Sequence, residues 1–98
     1  MYSEKAPSPV AGFVIDISYP LHRVRHGIVF EDAAQIFDGP TVEKFDDRFD
    51  YGETRVFAVN GLEITVVYTD ENDEERRIIS AWRSELHERR SYWQNIEG

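Results

Sequence analysis

Asn60-Gly61 stands between two runs rich in β-branched and aromatic residues, 54–59 and 62–68, and no other feature constrains the fold as much. Both residues tolerate positive φ, so the pair predicts a tight type I′ turn between antiparallel strands. A second reversal follows at Asp70-Glu71-Asn72-Asp73-Glu74, and residues 76–82 read as the returning strand. Three consecutive strands therefore form an antiparallel meander. Such a sheet is stable only if another layer covers an apolar face. With 98 residues and an apolar fraction of 41%, the chain can supply one modest core.

The covering layer is read from the flanks. Residues 13–17 alternate well enough for a short strand. Ser18 and Pro20 start a helix carrying Leu21, Val24 and Ile28, and Gly27 can end it. Phe30, Ala33, Ala34 and Phe37 fall at i, i+3, i+4 and i+7, one face of a short second helix that Asp38-Gly39-Pro40 stops. The period then changes to two, with Val42 and Lys44 facing away from Glu43 and Phe45, before a polar loop over 46–52. Ser84 reads as the N-cap of a terminal helix that packs on the sheet through Leu86, Trp93 and Ile96. Residues 1–12 read as a flexible tail that orders only if something docks it, and 13–98 as a single domain. The expected class is α+β: an antiparallel sheet of about four strands, two short N-terminal helices and a C-terminal helix.

With no cysteine, disulfides, a thiolate nucleophile and cysteine-ligated zinc are excluded, and a reducing compartment is the default. No secretory signal or membrane-spanning run is apparent, so a soluble, cytoplasmic protein is expected. The formal charge of −8 argues against nucleic acid as a partner. Its distribution softens the objection: acids crowd into 43–53 and 70–75, whereas Arg23 and Arg25, and then Arg76, Arg77, Arg83, Arg89 and Arg90, occupy two other stretches. Brought together, those stretches make a basic face on an acidic protein; apart, the arginines simply pair with neighbouring acids.

Cutting RNA without a metal needs a group to deprotonate the 2′-hydroxyl, a group to protonate the leaving 5′-oxygen, and cations for the charge building on phosphate. His26, beside Arg25 and just before Gly27, is the strongest acid or base candidate; the bland alternative is a charge complementing the helix dipole. His22 lies one turn earlier, but two histidines are a weak metal signal, and no metal site is assigned. Glu53 and Arg55, two apart, share a face and can clamp a phosphate or pair with each other. Arg77, with Ile79 and opposite to Ile78 and Ser80, can project beside Arg55, and two arginines on one sheet face are costly unless an anion or carboxylate meets them. Trp82 and Trp93 can stack on bases, though such tryptophans more often serve a core or a partner interface.

These features become specific as a series: Arg25-His26-Gly27-Ile28-Val29-Phe30, Phe37-Asp38-Gly39-Pro40, Glu53-Thr54-Arg55, Val66-Val67-Tyr68-Thr69, Arg77-Ile78-Ile79-Ser80-Ala81 and Glu88-Arg89-Arg90-Ser91-Tyr92. Over about residues 13–93 the chain resembles the BrnT family of ribonuclease toxins. The resemblance implies a RelE-like fold, metal-independent endoribonuclease activity that arrests translation with no cofactor, and His26, Glu53, Arg55 and Arg77 nearest the chemistry. It also implies Arg25 and Arg83 as RNA-phosphate contacts. The apolar character of the terminal helix, with Tyr92 and Trp93 close to its exposed end, separately suggests a partner-covered surface, for which an antitoxin is the natural candidate. The implied partner is a BrnA-type ribbon-helix-helix antitoxin in a 2:2 complex, with promoter DNA bound only through that antitoxin. Members of the family that the chain resembles usually have arginine directly after Ile-Ile-Ser-Ala, where this chain has Trp82, followed by Arg83. Arg83 replaces that arginine only if the strand has already ended. Trp82 thus opens an alternative, a catalytically impaired homologue that captures an antitoxin and modulates transcription.

Overall fold

The computed structural model describes residues 2–6, 12–15, 30–47, 52–70 and 75–97. Its elements run β1 (Ser3–Lys5), β2 (Gly12–Ile15), α1 (Phe30–Gln35) with a 3-10 turn over Ile36–Asp38, β3 (Thr41–Phe45), β4 (Val56–Val59), β5 (Ile64–Asp70), β6 (Glu75–Arg83) and α2 (Leu86–Glu97). The strands form one sheet ordered β1-β3-β4-β5-β6-β2, antiparallel except where β2 lies parallel to β6. The class is α+β, with a sheet of six strands among the described residues rather than about four. The helix expected over 18–28, and with it Arg25 and His26, lies outside the described residues.

The sheet is wider than expected partly because Ser3–Lys5, inside the stretch read as a tail, pairs with β3 through Ser3↔Glu43 and Lys5↔Thr41. All three residues are exposed, so hydrogen bonding to an open edge orders them rather than burial.

Each face of the sheet carries one described helix. On the first, Ala33, Ile36 and Phe37 pack on Ala58, Val66, Tyr68, Ile78 and Ala81. The Phe37 ring stacks on Phe13 at 5.7 Å and meets Tyr68 edge-on at 5.2 Å. On the second face Tyr92 and Ile96 of α2 pack on Val42 and Val59. This corrects the expected packing of α2: Glu88, Tyr92 and Ile96, spaced by four, face the sheet, while Leu86 and Trp93 are 52% and 42% exposed. Ser84 is not the cap either. Its hydroxyl is 2.7 Å from that of Thr65, and Glu88 receives the Glu85 N–H at 2.7 Å, the half of a capping box that runs back from the third helical position.

The Asn60-Gly61 turn is one residue longer than a type I′ loop. Asn60 N–H donates to Ile64 O (3.3 Å) and Glu63 N–H to Asn60 O (3.0 Å), which leaves Gly61, Leu62 and Glu63 in the loop. The extra residue is stabilised by Asn60 Oδ1, which accepts from Leu62 N–H at 3.1 Å, and it places Glu63 at φ 62°.

A bulge in β6 decides what the second face displays. Tyr68 pairs with Ile78 but Val67 with Ser80, so Ile79 is supernumerary. The pairs Thr69↔Arg77 and Thr65↔Trp82 then set Arg77 and Trp82 on the same face, which unbroken alternation would forbid. Arg83 is still within the strand, opposite Ile64, and so faces the α1 side, away from both. Among the described residues no helix is long and apolar enough to cross a membrane.

Candidate active site

The second face of the sheet gathers the strand-borne candidates. Arg77 pairs with Thr69 on the central strand, and Arg55 precedes Val56, the partner of Tyr68, so both arginines share the face of Thr69. The lead-in to β4 is fixed by Asp46 N–H donating to Arg55 O at 2.8 Å and by the Thr69 hydroxyl donating to Thr54 O at 2.6 Å. Glu53 then reaches back between the two guanidiniums. Its Oε2 accepts from Arg55 Nε at 2.8 Å and its Oε1 from Arg77 Nη2 at 2.5 Å. The carboxylate that two arginines on one sheet face require is therefore Glu53, in an ion pair that takes in both Arg55 and Arg77.

Exposure separates the three roles. The Arg55 side chain is 5% exposed, whereas Arg77 and Glu53 are 23% and 27% exposed. A solute can touch Arg77 and Glu53; Arg55 acts from beneath. Lys44 adds a cation to this face, its Nζ 4.9 Å from the Tyr2 ring centroid and 5.5 Å from that of Phe57, and buried Asp46, whose N–H bonds to Arg55 O, adds a carboxylate.

Farther along the face, the Trp82 ring meets Phe57 edge-on at 6.0 Å. Its indole N–H donates to Glu88 Oε1 at 3.1 Å, which also accepts from the Thr65 hydroxyl at 3.1 Å. Glu88, 3% exposed, therefore ties α2 to the sheet while capping the helix. Sequence reasoning passed over it, although Glu85 and Glu88 carry the i, i+3 spacing of a cap.

Two further arginines among the described residues pair away from this site. Arg76 turns to the α1 face, where it grips Asp70 through two bonds of 2.7 and 3.0 Å and lies over the Tyr68 ring at 3.9 Å. Arg89 pairs with Glu63 at 3.0 Å. Tyr68 also donates to the buried Glu43 at 2.5 Å; burial, and then this bond, push its phenol well above the ordinary tyrosine range. That network lies on the opposite face from Glu53 and serves the core. Tyr92, expected at a partner surface, is 6% exposed beneath its own helix, which leaves Trp93, edge-on to it at 5.0 Å, as the reachable ring. Among the described residues no group of three or more His, Cys, Asp or Glu side chains is placed to hold a metal ion.

A family model described as the ribonuclease toxin BrnT of a type II toxin–antitoxin system matches residues 21–88. The chain belongs to the BrnT family. The match spans His26, Glu53, Arg55 and Arg77 and ends before Tyr92 and Trp93. No curated protein and no solved structure matches the chain. As a BrnT-family member it is a type II ribonuclease toxin by descent, and membership implies a cognate antitoxin.

Proposed function

We propose that this chain is itself a metal-independent endoribonuclease with a RelE-like fold, inhibiting translation until a BrnA-type ribbon-helix-helix antitoxin neutralises it. The observation that carries the reading is one carboxylate shared by two guanidiniums on an otherwise acidic protein, at positions inside the family match. In the proposed reaction the RNA 2′-oxygen loses its proton and bonds to phosphorus while the bond from phosphorus to the 5′-oxygen breaks, and that oxygen takes up a proton. His26 and Glu53 are the groups for the two proton transfers. Arg77 stabilises the charge on the phosphate oxygens, and Arg55 holds Glu53. Arg25 is assigned to a flanking phosphate. Arg83 is the weakest of these assignments, because it faces away from Arg77. Exposed Trp93 is the contact proposed for the antitoxin.

The test is cleavage of a labelled RNA in EDTA by the purified chain and by His26→Ala and Arg77→Ala. Cleavage by the parent chain and its loss in both variants supports the reading. No cleavage by the parent chain in EDTA contradicts the metal-free reaction. One observation favours a second reading, an impaired toxin that still binds antitoxin: Trp82 occupies the site face where the family carries arginine, and its only polar atom is turned to Glu88.

A further inference from the structure

We infer that the Arg77 guanidinium is the seat for a single RNA phosphate and that Glu53 holds this seat as an internal competitor, leaving it when the phosphate arrives. The inference rests on the proposed reading for the identity of the ligand, but its geometry stands alone. Glu53 Oε1 lies 2.5 Å from Arg77 Nη2, the distance and pairing an incoming phosphate oxygen would adopt. A carboxylate and a phosphate monoanion compete for the same donor because each offers a charged oxygen acceptor, and both cannot hold one N–H at full strength.

The two bonds of Glu53 are not equally exchangeable. Its partner Arg55 is 5% exposed, so that bond is inaccessible to a ligand, whereas Arg77 is 23% exposed and Glu53 27%. Displacement therefore breaks the outer bond and leaves the inner one as a hinge. Glu53 swings off Arg77 while Arg55 keeps it beside the site. One movement then does two things: it exchanges the Glu53 oxygen on Arg77 Nη2 for a phosphate oxygen, and it releases a carboxylate oxygen next to the nucleotide. In the unliganded chain the carboxylate also offsets one of the two arginine charges, which would disfavour loose capture of unrelated anions.

The experiment measures binding separately from cleavage. A fluorescein-labelled 2′-O-methyl oligoribonucleotide, which lacks the nucleophilic hydroxyl, is titrated at low ionic strength into the parent chain, Glu53→Gln, Arg77→Ala and the double variant, with anisotropy as the readout. Glutamine keeps the shape and a neutral acceptor but no charge. The expected result is about tenfold or tighter binding by Glu53→Gln, the size of a charge-assisted hydrogen bond that no longer has to be broken. Arg77→Ala should cancel that gain, and inorganic phosphate should compete more effectively against Glu53→Gln than against the parent. Unchanged or weaker binding by Glu53→Gln overturns the inference, as does a gain that survives Arg77→Ala or the absence of binding by every chain. Thermal melting of each variant identifies a folding defect, and Glu53→Asp, which retracts the charge from Arg77, should then show an intermediate gain; if it too shows none, the inference falls. Cleavage of unmodified RNA is followed in parallel, so failure of the nuclease reading appears there and leaves the binding comparison intact.

Discussion

Replacing Glu88 by alanine should loosen the terminal helix from the sheet, and the structure sets the size of the effect. Glu88 Oε1 accepts from Glu85 N–H at 2.7 Å, the Thr65 hydroxyl at 3.1 Å and the Trp82 indole at 3.1 Å, in a side chain 3% exposed. After truncation Thr65 keeps Ser84 at 2.7 Å, so the main losses are the helix cap and the acceptor for the indole. Losing the cap costs about 1 kcal/mol. A partly buried donor deprived of its acceptor costs about 1–2 kcal/mol more, and the relieved burial of the carboxylate offsets part of the total. The net expectation is about 2 kcal/mol, which for a chain of this size corresponds to about 8–16 °C in Tm. Glu88→Gln retains an oxygen acceptor and should lose only about 1 kcal/mol. Urea unfolding followed by circular dichroism measures both. A loss below about 1 kcal/mol in Glu88→Ala, or equal losses in the two variants, would refute the claim that this one oxygen joins helix to sheet.

Trp82→Arg places a guanidinium on the face of Arg77 and within reach of Glu88, so single-turnover RNA cleavage should rise by about tenfold or more; an unchanged rate would show that this position lies beyond the reacting phosphate. Glu63→Gly relieves the positive φ of 62° at the cost of the surface pair with Arg89, and stability by urea unfolding should rise by about 0.5–1 kcal/mol. Burial, with smaller contributions from Glu88 and Glu85, pushes the Tyr2 phenol up to about 12. The folded chain thus binds this proton more tightly than the unfolded chain, whose phenol titrates near about 10, so the associated stability is complete below about pH 10 and is lost as pH rises toward 12. Comparing urea midpoints at about pH 9 and about pH 11 should show a decline that Tyr2→Phe makes shallower.

The parts of the fold legible in the sequence were those governed by local pattern. The β-branched runs at 56–59 and 64–70 and the apolar spacing of Ala33 with Phe37 each bury what their period says they should. The parts that were not legible depend on partners distant in sequence. Ser3–Lys5 has no apolar pattern and becomes a strand only because the edge of β3 is there to pair with it. Leu86 and Trp93 are large apolar residues of α2 that stay exposed, and beside the expected Ile96 the helix turns a carboxylate and a tyrosine inward, because Glu88 finds three donors there and Tyr92 a valine pair. Within the site, the neighbourhood of Glu53, Arg55 and Arg77 follows from strand spacing and meander order. The bulge at Ile79, which brings Trp82 onto the same face, has no signature in Arg-Ile-Ile-Ser-Ala-Trp read alone.

The central claim, that the face bearing Glu53 and Arg77 breaks RNA through its own 2′-oxygen, is tested most directly by the ends of the fragments. The chain should leave a 2′,3′-cyclic phosphate or its hydrolysed form on one fragment and a 5′-hydroxyl on the other, should spare an RNA with a single 2′-deoxy residue at the cut site, and should lose both behaviours in Arg77→Ala. Fragments bearing 5′-phosphates, or equal cutting of the deoxy-substituted RNA, would contradict it.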